Sequence, residues 1–393
     1  LVIYSEAVPE DNPERLRAKE LGIRLMRQFE VVDEIAKDGF MIAIAGNKGK
    51  TTTTAMLASS MERAGCDPTA MVGSIVNDWK CNFRGGDSKY LVVEADEYKE
   101  KFLDLHPKVI VLTNVAPDHL DYFGTPERVI EAFQKFVDQL PNDGLLVINQ
   151  DDEISKQIKW PSCQVLTFGM LTAADTMALN RQTVRSRQDV DVSYRGKELG
   201  RWSIPLPGSF NVYNSLAAAT VALWLGLDPK KVQEGLSKFN GTWRRFEVLG
   251  LYKLATVVSD YAHHPAAVHA TIGAAHDFYD PRRIVAVFQP HTRYRTKSLF
   301  DDFVISLDKA DVVVIPEIYA VAGRETIPES EMNAAILVQA IKERDQQHGR
   351  VRTVIASGNL EQTQAAIDGL VKKDDVLLMM GAGDIYKLAE AMG

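Results

Sequence analysis

The chain has 393 residues, of which 46% are hydrophobic and 25% charged, so it is long enough for two or three globular domains. Its 45 lysines and arginines against 53 aspartates and glutamates give a net charge of −8, which argues against a nucleic-acid or membrane-surface binder. No apolar run reaches the ~18 residues of a membrane helix, so we expect a soluble protein. The three scattered cysteines form no CxxC pair and favour a reducing, cytoplasmic setting.

Strand-like apolar runs alternate with helical stretches along the chain. The predicted strands cover residues 41–45, 90–93, 109–113, 145–148, 284–288, 311–315, 354–356 and 376–380. This alternation predicts an α/β fold with parallel sheets. The apolar stretch 215–227 predicts a buried core helix, and the polar stretch 172–200 predicts an antiparallel appendage.

Two breaks in the pattern suggest domain boundaries. The stretch 9–17 is polar and proline-rich, and strand character returns only at residue 41. A second break follows residues 239–242. We therefore expect residues 1–38 to be the remnant of an earlier domain, 39–246 a central domain and 247–393 a C-terminal domain.

A glycine-rich loop follows the first predicted strand of the central domain. The loop and the start of the next helix read Gly46-Asn47-Lys48-Gly49-Lys50-Thr51-Thr52-Thr53-Thr54. Strand, glycine loop and helix are the context in which backbone N–H groups bind phosphate. Lys50 would contact the β- and γ-phosphates and the Thr51 hydroxyl would contact Mg²⁺. Ile44 stands where the commoner form of this motif has its first glycine, and the alternative is a plain glycine turn that caps a helix.

Carboxylates follow the next two predicted strands. Glu94 heads an acidic group after strand 90–93, and Asp118-His119 follow strand 109–113. Parallel strands end at one edge of a sheet, so these side chains should lie near the phosphate loop. Carboxylate oxygens suit Mg²⁺, and a neutral imidazole can complete a metal site, whereas the alternative role is helix capping.

The second half of the chain carries polar motifs at further strand ends. Arg244 and Arg245 lie at the presumed domain junction, where guanidinium groups could bind a transferring phosphoryl group. The other motifs begin at Asp260, at Phe288 and at Met380, and they read DYAHHP, FQPHTRYRT and MGAGD. Adjacent histidines with an aspartate at a strand end are unusual in a core and indicate a functional site.

These motifs, in this order, resemble those of the Mur ligases, ATP-dependent enzymes that form amide bonds in peptidoglycan precursor synthesis. The resemblance extends from about residue 3 to residue 385. It rests on the succession of GxxGKTTTT at Gly46, VEADE at Val93, TNxxxDHLD at Thr113, PGxxNxxN at Pro207, RRFE at Arg244, DYAHHP at Asp260, FQPHTxxRT at Phe288 and MGAGDI at Met380. It implies a UDP-sugar domain (its remnant at 1–38), a central P-loop ATPase domain with a parallel sheet, and a Rossmann-like α/β domain on the amino-acid side.

The resemblance also implies a role for individual residues. Lys50, Arg245, His264, His291 and Arg295 would be catalytic, with the last three facing the substrate carboxylate and the amino acid. The implied metal ligands are Thr51, Glu94 and His119. The nucleotide would contact Gly46, Asn47, Lys48, Gly49, Lys50, Thr51, Thr52, Asn211, Asn214, Arg245 and Asp260.

Some positions depart from the family pattern. Asn47 and Lys48 replace a usual Thr-His, and Phe210 replaces a frequent histidine. The altered stretch 292–294 leaves the choice of amino acid open. The carbamylated lysine of some members falls at Gln134, so carbamylation is not expected.

The resemblance is greatest to members that join L-alanine to UDP-N-acetylmuramate with ATP and Mg²⁺, through an acyl phosphate. The expected partners are therefore these small molecules, without nucleic acid or membrane, and the chain is expected to be a monomer or a dimer. A ligase for a tripeptide or for another amino acid would share the same ATP machinery. A P-loop switch NTPase and a non-catalytic scaffold are the alternatives of a different class. If residues 1–38 are a domain remnant, we expect ATP analogues to bind and the UDP-sugar to bind poorly.

Overall fold

A computed structural model describes the chain except residues 6–7, 185 and 322–326, and of Asp121 it describes only the backbone. The described residues form two compact units. Unit 1 comprises Leu1–Gln182, Asp189–Pro205 and Phe210–Thr242, and unit 2 comprises Thr183–Gln188, Leu206–Ser209 and Trp243–Gly393. Both units are mixed α/β, which confirms the predicted fold class.

Among its described residues, unit 1 holds the phosphate loop, a ten-stranded sheet and a separate two-stranded sheet formed by its first two strands. Its strands are β1 (Val2–Tyr4), β2 (Leu25–Arg27), β3 (Phe40–Ala45), β4 (Thr69–Val76), β5 (Cys81–Arg84), β6 (Tyr90–Glu94), β7 (Val109–Leu112), β8 (Leu145–Asn149), β9 (Gln164–Gly169), β10 (Thr176–Thr183), β11 (Gln188–Tyr194) and β12 (Lys197–Ile204). Its helices are α1 (Pro13–Glu20), α2 (Gln28–Ile35), α3 (Lys50–Arg63), α4 (Leu120–Phe123), α5 (Pro126–Val137), α6 (Ser209–Trp224) and α7 (Pro229–Ser237), with short 3₁₀ turns at Tyr98–Asp104 and Ser155–Gln157.

The order of the strands explains why the predicted motifs of unit 1 come together. In the described part of the chain the order is β12-β11-β10-β9-β8-β7-β3-β6-β4-β5. The pairs from β10 to β4 are parallel, with Ile44 opposite Glu94 and Ala45 opposite Leu112. The carboxyl ends of β6 and β7 therefore flank the end of β3, where the phosphate loop begins.

Helices cover both faces of this sheet because its central strands are apolar on both sides. On one face, α2 and α5 contribute Phe29, Phe133 and Phe136 to a core with Phe102. Thr125 caps α5 by accepting a hydrogen bond from the Arg128 backbone N–H, and a proline stands in the first turn. On α3, even the hydroxyl-bearing residues from Thr51 to Ser60 are buried, so this helix lies inside the unit.

Unit 2 is a doubly covered parallel sheet with one antiparallel edge strand. Its strands are β13 (Glu247–Tyr252), β14 (Ala255–Asp260), β15 (Ile284–Phe288), β16 (Val312–Pro316), β17 (Thr353–Gly358) and β18 (Val376–Met380). Its helices are α8 (Pro265–Tyr279), α9 (Arg293–Ser298), α10 (Phe300–Ser306), α11 (Ala334–Gln347), α12 (Leu360–Leu370) and α13 (Ile385–Met392). The order of the described strands is β13-β14-β18-β15-β16-β17, so β14, β18 and β15 are neighbours and end at one edge.

The predicted strands are confirmed within one or two residues, and two other elements differ. The helix predicted at 215–227 is α6, which begins at Ser209 and ends at Trp224. The appendage predicted at 172–200 is β10 to β12, but β10 pairs with β9 in parallel because it extends the main sheet. Residues 1–38 contain β1, β2, α1 and α2, and their assignment to a preceding domain stays a prediction. Among the described residues no helix has both the length and the apolarity needed to cross a bilayer.

Candidate active site

The phosphate loop of unit 1 depends on two glycines. Gly46 has φ 134° and Gly49 has φ 85°, conformations that side chains rarely adopt. A Cβ atom at Gly46 would collide with the Thr113 hydroxyl, and one at Gly49 would collide with the Asn214 amide. The loop therefore packs directly against the end of β7 and against α6.

Side chains from the end of β7 hold the middle of the loop. The Thr113 hydroxyl and the Asn114 amide each donate to the carbonyl of Lys48 at 2.7 Å. The Lys48 N–H donates to Asn114 Oδ1 at 3.0 Å, and Asn47 Oδ1 accepts from the Ala116 N–H at 2.7 Å. Asn47 and Lys48 thus fix the shape of the loop through these bonds, while the Lys48 side chain is exposed.

Lys50, the first residue of α3, points back into the loop. Its ammonium donates to the Gly46 carbonyl at 2.7 Å and to Glu97 Oε2 at 2.6 Å. The Glu97 side chain is 1% exposed. Burial raises the pKa of Glu97, while the nearby Lys50 charge opposes that rise. The ammonium is therefore held where a phosphate at the loop would meet it.

Thr51 and Glu94 form the second contact of the loop. The Thr51 hydroxyl donates to Glu94 Oε1 at 2.9 Å, and the Gly73 N–H donates to Glu94 Oε2 at 2.5 Å. A hydroxyl and a carboxylate beside a phosphate loop are oxygen donors of the kind that Mg²⁺ takes, with phosphates and waters in its other positions. The donor set therefore fits Mg²⁺. No group of three or more His, Cys, Asp or Glu side chains able to hold a metal occurs in the described part of the chain, so nucleotide oxygens would have to contribute.

His119, the third predicted metal ligand, lies next to Glu97. Its Nε2 is 3.6 Å from Glu97 Oε1, and its ring packs on Tyr98 with centroids 4.8 Å apart. The backbone at His119 has φ 53°, in the left-handed region. Glu97 thus lies between the loop lysine and His119, a position that the sequence motif did not assign to it.

Asn211 and Asn214 are buried in the first turns of α6. Asn214 Nδ2 donates to Asn211 Oδ1 at 3.1 Å, and Asn214 adjoins Gly49. The structure therefore places Asn214 against the loop with Asn211 beside it, and their contact with the nucleotide stays a prediction. Thr52, also predicted to contact nucleotide, is 7% exposed in the first turn of α3.

Asp151 anchors this part of α6 to the sheet. It accepts from the backbone N–H groups of Met170, Leu171 and Thr172 at 2.6, 2.9 and 2.8 Å and from the Tyr213 hydroxyl at 2.8 Å. These bonds outweigh burial and lower the pKa of Asp151 to about 2. Sequence analysis did not single out Asp151, because its partners come from two separate segments.

In unit 2, Asp260 ends β14 and fixes the adjacent turns. Its carboxylate accepts from the Phe246 N–H at 2.7 Å and from the Ala262 N–H at 2.8 Å. Burial raises the pKa of Asp260, and the nearby Arg245 opposes the rise. Arg245 is exposed, with its guanidinium 5.4 Å from the centre of the Tyr261 ring.

Arg244 is built into unit 2 rather than offered to a ligand. It is 4% exposed and donates to the carbonyls of Gly381 and Gly383. Its guanidinium lies 4.8 Å from the Tyr261 ring centre and 4.6 Å from that of Tyr386. The two arginines of the RRFE motif therefore differ in burial, and the contact of the exposed Arg245 with a phosphate stays a prediction.

The histidine motifs meet at the carboxyl ends of β14 and β15. His263 Nδ1 is 3.0 Å from the Tyr261 carbonyl, and its ring centre is 6.4 Å from that of His291. Burial, with the nearby Arg295 and His291, lowers the pKa of His263 to about 4. His291 stacks on Tyr319 with ring centres 5.5 Å apart. His263, His291 and Arg295 thus share one polar cluster.

Two family models match the chain. The model described as Mur ligase middle domain matches residues 44–222, and that described as Mur ligase, glutamate ligase domain, matches residues 244–383. The chain belongs to the Mur ligase family. The family resemblance in the sequence is therefore confirmed.

Relatives named for their enzymatic activity match the chain along its whole length. The UDP-N-acetylmuramate–L-alanine ligase of Alkaliphilus metalliredigens is 39% identical over 100% of the chain and 84% of the relative. The enzyme of the same name from Caldanaerobacter subterraneus is 38% identical over 99% of the chain and 83% of the relative. The crystal structure of UDP-N-acetylmuramate-alanine ligase MurC from Thermotoga maritima covers 100% of the chain, with 84% of its own length matched, at 27% identity and a TM-score of 0.83.

The structure groups most of the predicted site residues but leaves their roles as predictions. In unit 1 the loop, Thr51, Glu94, Asn211 and Asn214 come together. In unit 2, His264 is exposed at the start of α8, and the more buried His263 faces His291. The sequence DYAHHP could not separate the two histidines, because only tertiary packing distinguishes their burial.

Proposed function

We propose that the chain is an ATP-dependent, ADP-forming ligase that joins the carboxylate of UDP-N-acetylmuramate to the amino group of L-alanine, in peptidoglycan precursor synthesis. The observation that carries this proposal is the 38–39% identity, over essentially the whole chain, to enzymes named UDP-N-acetylmuramate–L-alanine ligase. The phosphate loop with its paired Lys50 and Thr51 supplies the chemistry that such an enzyme requires.

ATP supplies a phosphoryl group that converts the unreactive carboxylate into an acyl phosphate, from which inorganic phosphate can leave when the amine attacks. Lys50 offsets negative charge on the transferring phosphoryl group, and Arg245 adds a second cation. Thr51 and Glu94 would hold Mg²⁺, with His119 nearby, and the ion would supply positive charge that favours phosphoryl transfer. The loop glycines let backbone N–H groups approach the phosphates closely.

The polar cluster of unit 2 serves the amino acid. Arg295 binds a carboxylate, for which a guanidinium is suited. His263, with a pKa of about 4, stays neutral near pH 7 and is a weak base, so we assign proton uptake from the attacking amine to His291 or His264. Asp260 is assigned to the nucleotide ribose. We also propose a cytoplasmic location, which the three free cysteines support.

ADP release with UDP-N-acetylmuramate, measured separately with L-alanine, glycine, L-serine and a tripeptide, tests the proposal. We expect L-alanine to give the highest kcat/KM. A preference for the tripeptide would assign the chain to a different ligase of the family. ADP release that needs neither the sugar nor any amino acid would instead indicate a switch NTPase.

A further inference from the structure

The buried carboxylate of Glu97 occupies an unusual place in the nucleotide site. Its Oε2 lies 2.6 Å from the Lys50 ammonium, whose other acceptor is the Gly46 carbonyl at 2.7 Å. Its Oε1 lies 3.6 Å from His119 Nε2. The exposed fractions are 1% for the Glu97 side chain and 13% for that of Lys50. Glu97 therefore holds the cation that the loop would offer to a nucleotide phosphate.

Other charges of the same segment have their own partners. Asp96 is paired with Lys101 at 2.7 Å, and Glu100 is paired with Lys135 at 3.0 Å. Lys50 is accordingly the cation that compensates Glu97, and a phosphate would compete with Glu97 for it.

The charge around the loop opposes a nucleotide that arrives without a metal. Glu94 and Glu97 bring two carboxylates to the loop, where Lys50 is the lysine in contact with Glu97 and the other loop lysine, Lys48, is exposed to solvent, which screens its charge. Interactions between charges are strong here, because the low exposure of Glu97 limits screening by water. A divalent cation between the carboxylates and the phosphates would turn this repulsion into attraction.

We propose that Glu97 is a positioning residue that acts through Lys50 and makes nucleotide binding dependent on Mg²⁺. Without the cation, Glu97 retains the Lys50 ammonium and repels the phosphates. With the cation bound, the added positive charge lets the ammonium be shared with phosphate, while Glu97 still fixes its position. This inference rests on the proposed function in one respect, namely that the loop binds ATP.

The test is the affinity for a fluorescent ADP analogue, measured in EDTA and again in excess Mg²⁺. Glu97→Gln removes the charge and keeps the shape, so we expect metal-free ADP to bind about tenfold more tightly or better than to the wild type. The increase in ADP affinity on adding Mg²⁺ should therefore be smaller for Glu97→Gln than for the wild type. Glu97→Asp keeps the charge, and its metal-free affinity should stay near that of the wild type. The matched control is Glu100→Gln, which makes the same charge change in the same segment and should leave both affinities unchanged.

Each outcome decides the proposal. Unchanged or weaker metal-free binding by Glu97→Gln, in protein shown by circular dichroism to be folded, would overturn it. Equal tightening by the Gln and Asp variants would also overturn it, because the effect would then come from packing. Absence of ADP binding by the wild type in both buffers would overturn the nucleotide site and the proposal together. A wild type that binds ADP but makes no amide bond would refute only the proposed function.

Discussion

The position of Glu94 depends on a glycine in the neighbouring strand. Gly73 lies on β4, and a Cβ atom there would be 2.5–2.7 Å from the Glu94 carboxylate. Ordinary contact begins near 3.4 Å, so in Gly73→Ala the carboxylate must move by roughly 1 Å. The backbone of Gly73 is outside the left-handed region, so alanine itself causes no strain in the main chain. The substitution therefore displaces a predicted metal ligand with little cost to the fold.

A displacement of this size at a catalytic centre costs roughly 100-fold in rate, or about 2.7 kcal/mol in the activation free energy. We expect Gly73→Ala to lower kcat by about that factor and to raise the Mg²⁺ concentration for half-maximal ADP release, with a melting temperature close to that of the wild type. The control is Gly85→Ala, because a Cβ there meets only a Phe83 ring carbon at 3.9 Å. Wild-type turnover and wild-type Mg²⁺ dependence in Gly73→Ala would refute the assignment of Glu94 as a metal ligand.

Three further predictions follow from the contacts of single charged residues. Lys50→Ala should abolish ADP formation. It should also lower the free energy of unfolding by about 3 kcal/mol, because Glu97 is then buried without the lysine that neutralises it. The double variant Lys50→Ala/Glu97→Gln should regain thermal stability but not activity. The folded-state pKa of Asp151 is about 2, below its ordinary value of 3.8, so its stabilising contribution is present above pH 3.8 and is lost as the pH falls towards 2. Asp151→Asn should therefore melt below the wild type at pH 6, and the difference should narrow towards pH 2. Arg244→Lys should lower the free energy of unfolding by about 2 kcal/mol, because the guanidinium that stacks between two tyrosine rings is lost. Arg245→Ala should reduce ADP release and lower the melting temperature by less than Arg244→Lys, since Arg245 is exposed and the Asp260 carboxylate keeps its two backbone hydrogen bonds.

The sequence predicts the elements of the sheets well because their signals are local. Strand β15 and strand β18 were predicted at their observed bounds, and β3 differs by one residue. Each is a continuous apolar run bounded by polar or glycine residues, which is typical of a strand buried on both faces. The pairing of the strands at 172–200 was harder to predict, since no local sequence pattern indicates that β10 pairs in parallel with β9. The pairing partner of an edge strand depends on residues distant in the chain.

The residues of the candidate site also differ in whether a local sequence pattern could identify them. The phosphate loop was identifiable because its residues lie within one short segment. Gly46 and Gly49 supply the backbone conformation, and the Lys50 side chain reaches back to the Gly46 carbonyl. The role of Glu97 was not identifiable, because it depends on a contact with a residue 47 positions away. Three acidic residues stand close together at the end of β6 and just after it, and no pattern in the sequence indicates which of them is buried against the loop.

The sequence by itself determined the family, the α/β class and the residue types of the site, because motif order and hydrophobic pattern are properties of the chain. Only the tertiary structure decided between chemically identical neighbours. It buries Arg244 and exposes Arg245, and it places the partly buried His263 ring 6.4 Å from that of His291 while His264 is exposed. The physical reason is that burial, charge and pKa depend on the groups around a side chain, and those groups come from strands that are adjacent in the sheet but distant in the sequence.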